Sequence, residues 1–578
     1  MKKKIIIPII LFLLIIIGLL IYFFIKNKEK ENRDYQIEQI TDYKYFVSKS
    51  QDSQKFGVID SSGNVVIDEQ YDDVQIPNPS KAVFICISGD SSKVFNSESQ
   101  EIYTEFGKIS TLRLKNTSSD LIYEKSVLKY EQNGKFGLMD IDGKKLTEPN
   151  YDSIDTLQYK EGELIVKQND KYGIINQKGY NLVDVQYDEI TADGFYDKET
   201  QYRYDGYIVA NKTDMGYRYG YVSWEGKTIL DVLYNDLKRI TNIDDKEPYL
   251  LVAENGRYGV MKKSTPIIST EYQSISYDAS NNIFVVQKGQ KYGVIDFSGK
   301  QIIECKYPQI DVKGRNIYVT KDDNMVEVYD TKGNLTNISS DTIYVDIPNK
   351  DGYFIRIQTI DQNTTYQICK EREDKVSEEY QYIEYLENDL FVASKSGGNL
   401  GIIDLNGEVK TEFKYSSIQI IPNTDLIQLI NIDNVTVDFA DKTAKIITQM
   451  ANVTITNSGN FIKLSNSNEN KYINLDGKEI SNIEAYPNNS LFAVIKDGKW
   501  GYTDKNGSIK VEPIYDKVTE FNKYGYAGVL KDGKWGIIKQ DGTILVQPSY
   551  EIDSQSEPYF IGEYYQVKYG LGQMYYMK

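Results

Sequence analysis

Three kinds of stretch in this sequence hold residue types that could do chemistry. DIDG at 140–143 and DKNG at 504–507 look like the opening of a calcium loop, in which alternate carboxylates converge on one cation. Such a loop closes on a bidentate glutamate at its twelfth position, and counting from Asp140 and Asp504 that position holds Tyr151 and Tyr515. Both aspartates are therefore expected to bond the backbone of their own turns, and no metal is assigned, although weak calcium capture between neighbouring units stays open. GYVSWEGKT at 220–228 resembles a phosphate-binding loop, but five residues separate Gly220 from Gly226 where that motif needs four. The third, TADGFYDKETQYRYDGY at 191–207, brings together Phe195, Tyr196, Tyr202 and Tyr204 as candidate ligand contacts. Insertions in repetitive chains often fall on a binding face, and the plain alternative is a longer solvated loop or hairpin.

The composition removes several function classes. The chain has no histidine, which rules out Ser–His and Cys–His catalysis, histidine metal sites and histidine pH switching together. Cys86, Cys305 and Cys369 are too few and too far apart for a disulfide framework or a metal cluster, and are expected as small apolar residues, one per strand. Carboxylates are plentiful enough for a glycosidase pair, yet they follow a repeating frame instead of converging in one unusual segment. No cofactor motif is present, and the reading is non-catalytic. Net charge is −17; residues 1–34 hold seven Lys/Arg and three Asp/Glu, so the remaining 544 carry 60 minus 81, or −21. A body of that sign repels phosphate backbones and is not expected to bind nucleic acid.

Residues 5–25, IIIPIILFLLIIIGLLIYFFI, form an uncharged run after MKKK. At ~1.5 Å per residue this length spans a bilayer's hydrocarbon, and no small-residue cleavage site follows. The expectation is an uncleaved single-pass anchor within a 1–34 segment. Lysines flank both sides of it, so charge does not orient it, but the very short leading tail favours a body, 35–578, outside the cell.

What would position any site in that body is a repeat. KFGVIDSSGNVVIDEQYDDV (55–74), KYGIINQKGYNLVDVQYDEI (171–190), KYGVIDFSGKQIIECKYPQI (291–310) and KWGYTDKNGSIKVEPIYDKV (499–518) are versions of one frame. An aromatic precedes Gly, a turn Gly follows seven residues on, and a Tyr fifteen residues on, as in Phe56, Gly63 and Tyr71. Phe136, Tyr172, Tyr219, Tyr292, Trp500 and Trp535 head further copies, and Tyr258 heads one that is a residue shorter. Phe56 to Trp535 is 479 residues, thirteen steps of about 37, which makes about fourteen units.

Each unit reads as three or four short antiparallel strands. Runs such as IFVVQKG (283–289) have strand composition, and Asn–Gly or Asp–Gly between apolar runs marks hairpins. In KYGVID both faces of the strand are apolar, so it should lie between two sheets, with Gly293 letting a neighbouring ring come close. The later Tyr is the expected ring. The fold class is thus all-β: a tandem array of β units, propeller-like in two seven-unit rings or an open β-superhelix, after one transmembrane helix.

These motifs resemble the bacterial WG-repeat family, also called KWG repeats. KWG stands literally at Lys499–Gly501 and Lys534–Gly536, and Tyr, Phe or Leu400 replaces Trp elsewhere. The resemblance covers roughly 41–578; it implies repeated β units and frequent export, and no shared reaction or ligand. The functional expectation is a membrane-anchored binding or scaffold protein of the cell envelope, presenting repeated surfaces to envelope proteins or cell-wall glycans. A cell-wall glycan-active enzyme, or a membrane-tethered sensor acting through partners, is the alternative.

Overall fold

A computed structural model describes residues 40, 42–115, 123–158, 160–197, 201–240, 248–278, 280–336, 342–370, 374–552, 557–569 and 573–578. The apolar run 5–25 lies outside them; among the described residues no helix is long and apolar enough to cross a membrane.

The unit headed by Tyr292 shows how the frame folds. Strands Ser274–Asp278, Ile283–Lys288, Lys291–Asp296 and Gln301–Tyr307 lie side by side in chain order, all antiparallel. Turns between the middle strands take left-handed backbone at both central residues, as at Asn133 (φ 54°) with Gly134 (75°) and Asp532 (51°) with Gly533 (77°). That turn matches the twist of the two strands it joins.

Among the described residues thirteen sheets are present, eleven of three or four strands, one of six and one of seven, and none closes into a barrel. The seven-stranded sheet fuses two repeats because Tyr415 pairs with both Leu400 and Asn431. The residue after the repeat Tyr is there Ser416, where four other copies carry Asp72, Asp152, Asp188 and Asp516. The six-stranded sheet joins both ends of the chain: Tyr45–Lys49 lies parallel to Gln573–Met577, with Ser48 opposite Tyr576. Two compact units result, one of residues 1–266, 522–526 and 553–578, the other of 267–521 and 527–552. The boundary at 266/267 falls inside the repeat headed by Tyr258, and the repeats headed by Tyr292 to Trp535 lie in the second unit.

Core fills the space between consecutive sheets. Val58 and Ile67 pack with Phe84 and Cys86 of the next sheet; Trp500, Tyr502 and Val511 pack with Val529 and Ile538. Trp500 and Trp535 are buried, whereas Phe56, Phe136, Tyr172, Tyr219, Tyr258 and Tyr292 are half-buried. Cys86 and Cys369 are buried and Cys305 half-buried, and burial pushes the Cys86 thiol up to about 12.

The repeat Tyr does not fill the space over the glycine. It sits directly across the ladder from the repeat aromatic, as Tyr71 opposite Phe56, Tyr307 opposite Tyr292 and Tyr515 opposite Trp500. The register shifts beside this pair, and the bulged third strand brings its own backbone against the glycine. A Cβ on Gly293 would lie 2.7 Å from the Cys305 nitrogen, and one on Gly536 2.6 Å from the Val546 oxygen. Only in some copies does a ring approach, as Tyr130 does at Gly137 and Phe413 at Gly401.

A second contact recurs in four of the copies. The lysine before the aromatic–Gly pair meets an aspartate seventeen residues on: Lys55 Nζ to Asp72 at 2.6 Å, Lys171 to Asp188 at 2.8 Å, Lys499 to Asp516 at 2.5 Å, and Lys135 to Asp152. The other oxygen of each carboxylate accepts a turn N–H, from Gly89, Lys212, Asp532 and Asn169. Lysine first and amide second, these bonds hold all four carboxyls below their ordinary 3.8. A depressed folded value stabilises above the unfolded pKa, and the gain is lost as pH falls through the folded value. The variant with all four aspartates changed to asparagine is therefore expected to lose much of the fall in unfolding temperature between roughly pH 5 and 3. Equally steep acid profiles for the two proteins would contradict this.

Candidate functional site

The insertion predicted from sequence is a hairpin. Strands Glu189–Asp197 and Gln201–Thr213 pair along their length, with Gly194 opposite Tyr204, Phe195 opposite Arg203 and Tyr196 opposite Tyr202. The four candidate aromatics thus share its outer half, and their side chains lie outside the described residues. Its base is a buried ion cluster. Arg239 Nε donates to both oxygens of Asp193, at 3.1 and 3.0 Å, the guanidinium also pairs with Asp205, and the Tyr221 hydroxyl donates to Asp193 at 2.6 Å. Burial pushes the Asp193 carboxyl up against the opposing pull of Arg239. The echo of ADGF (192–195) in YDGY (204–207) was the only sequence trace of this clamp, and nothing local points to Arg239.

The calcium-like loops spend their oxygens on themselves. Asp140 Oδ1 accepts the N–H groups of Asp142 (3.1 Å) and Lys144 (2.7 Å); Asp504 Oδ1 accepts those of Asn506 (2.9 Å) and Ser508 (3.0 Å). Among the described residues no cluster of three or more metal-ligating side chains occurs.

A cavity in the first unit gathers more chemistry than either. It is a half-open pocket of about 480 Å3 where the sheet shared by both chain ends meets the loop at Pro77 and Pro79 and the segments around Tyr123, Tyr524 and Tyr559. Strand Tyr45–Lys49 contributes Tyr45, Phe46 and Val47; Gln573–Met577 contributes Met574 and Tyr576. Alternation aims Phe46 at the side where Tyr576 meets it edge-on at 5.2 Å and Tyr524 at 5.7 Å. The Tyr524 hydroxyl donates to the Tyr43 carbonyl at 3.1 Å, which fixes that ring, and Gln566 donates to the Tyr576 hydroxyl at 3.1 Å.

Electrostatically the cavity is unlike the rest of the body. Burial pushes the Tyr524 and Tyr559 hydroxyls up to about 12 and raises Tyr123 and Tyr576 too, so all four are neutral donors near pH 7. The hydroxyls of Tyr123 and Tyr559 make no hydrogen bond within the described residues. Two lysines reach the lining and no Asp or Glu does. Lys125 is paired with Glu161 at 2.9 Å. Aromatic walls, free hydroxyl donors and a cation suit a ligand with flat apolar faces and polar edges. Sequence reasoning missed this site because its walls come from five separate segments with no shared motif.

No curated protein matches this sequence. Solved structures align with it at low similarity. The extracellular domain of the putative one component system BT4673 from B. thetaiotaomicron is 9% identical over 95% of this chain and 99% of its own, with TM-score 0.17. BamB from Moraxella catarrhalis is 10% identical over 47% of this chain and 95% of its own, TM-score 0.21, and the computationally designed Ika8 protein is 11% identical over 51% and 98%, TM-score 0.19. Scores this low bear on neither function nor shape. The model of the WG containing repeat matches residues 56–78, 136–172 and 500–535, three of the copies whose aromatic–Gly strand and cross-strand Tyr are described above. Those three stretches are WG-containing repeats.

Proposed function

We propose that this chain is a non-catalytic binding module of the cell envelope, held in a membrane through residues 5–25 with residues 35–578 outside, and that it takes a glycan into the tyrosine-lined cavity. The carrying observation is that cavity. Its volume falls within the roughly 300–1,000 Å3 of small-molecule sites, and tyrosine faces with unbonded hydroxyls suit the apolar faces and edge hydroxyls of a sugar. A lining of lysines and tyrosines, without a carboxylate pair, supports capture over glycoside hydrolysis. The repeats act as a propeller-like support within each unit, and their half-buried aromatics offer additional weak contacts that add up through effective concentration.

Saturation-transfer NMR with the detergent-solubilised full-length chain and soluble cell-wall oligosaccharides tests this. Transfer to sugar ring protons is expected, and it should drop severalfold in the double variant Tyr123→Leu, Tyr559→Leu. Absence of transfer, or equal transfer in the variant, would sink the reading.

A further inference from the structure

The cavity's two lysines are not equivalent. Glu161 neutralises Lys125 at 2.9 Å, but among the described residues no carboxylate pairs with Lys523. Its ammonium instead lies 5.5 Å over the Tyr43 ring and 5.0 Å over the Tyr524 ring. A cation on two ring faces is held in place while keeping its whole charge for a third party. The exposed Lys523 stands at the edge of the cavity, and Asp42, whose charge reaches the Tyr524 hydroxyl, is not part of the lining.

The sign is informative. Beyond residue 34 the chain carries −21, so a small anion is repelled by most of its surface. In the cavity the only uncompensated charge is positive and every other polar tip is a neutral donor or amide. Such a lining discriminates by charge within a ligand class whose shape it already accepts.

We infer that the cavity selects sugars bearing a carboxylate, with Lys523 as the residue that sets the preference. The inference rests on the glycan reading above. The sugar face would stack on the tyrosine walls while its carboxylate meets the Lys523 ammonium, an exposed contact that weakens with salt.

Calorimetric titration of the full-length chain with a galacturonic acid trimer and with neutral galactotriose separates the two ideas. The expected result is binding of the acidic trimer about tenfold tighter than the neutral one at low salt, the gap closing in 0.5 M NaCl (about one third of the Debye length at 0.05 M) and in Lys523→Gln. Lys523 is exposed, so this variant leaves the fold intact, and Lys523→Arg should restore the preference. Equal affinity for both trimers, unchanged in Lys523→Gln, overturns the charge selection and leaves glycan binding standing. Binding of neither trimer removes the glycan reading and this inference with it.

Discussion

Replacing Trp500 by alanine is expected to destabilise its repeat by about 3–5 kcal/mol, the range for deleting a large aromatic from a packed core. Trp500 is 7% exposed, sits opposite Tyr515 across the ladder and packs in a cluster with Tyr502, Val511, Val529 and Ile538. Tyr502 lies two residues along the same strand, and its hydroxyl donates to the Thr519 carbonyl at 2.8 Å. Losing the indole therefore opens a void that this fixed ring cannot swing to fill. In a repeat array each unit leans mainly on its neighbours, so the damage should be local. Amide hydrogen exchange should accelerate in strands Leu491–Lys496 and Lys499–Asp504 and stay unchanged in the first unit. Unchanged protection of those two strands would show that the indole is dispensable, and with it the account of why the frame repeats.

Arg239→Ala should be comparably severe, about 3–5 kcal/mol, for a different reason. Asp193 is 5% exposed and Asp205 13%, and both turn to the Arg239 guanidinium, itself 7% exposed. Alanine would strand two carboxylates in a dry site, and Asp193 is already pushed up by burial. The triple variant Arg239→Met, Asp193→Leu, Asp205→Leu should recover most of the loss, because a buried ion cluster is easier to replace whole than to break. Thermal unfolding and limited proteolysis of strands Glu189–Asp197 and Gln201–Thr213 check both. A triple variant as unstable as Arg239→Ala would mean that the cluster gives more than its replacement by apolar contacts.

Much of the fold was legible because turn chemistry is local. A left-handed residue seven positions after the aromatic demands glycine, and Gly63, Gly179, Gly299 and Gly542 all take positive φ there. The glycine beside the aromatic was legible as a place of close approach, but its neighbour was misread as a ring. Strand bulges depend on register, and register shows only after the strands are paired. The lysine–aspartate spacing of seventeen stood in plain view at Lys55 with Asp72 and Lys499 with Asp516, yet its meaning also needed pairing. For the site, sequence singled out the insertion at 191–207, and the structure adds the buried clamp at its base. The cavity escaped notice because Phe46, Tyr123, Tyr524 and Tyr576 share no motif and meet only through the sheet that joins the chain ends.

That shared sheet sets an order of events during synthesis. Tyr45–Lys49 emerges long before its parallel neighbour Gln573–Met577, and Tyr559 comes scarcely sooner than that neighbour. A nascent polypeptide halted before residue 557 can build most of its sheets and still lack the wall that Tyr559 and Tyr576 provide. The cavity is thereby complete only in copies that extend past Tyr576, and shorter ones would offer no site to the ligand proposed above.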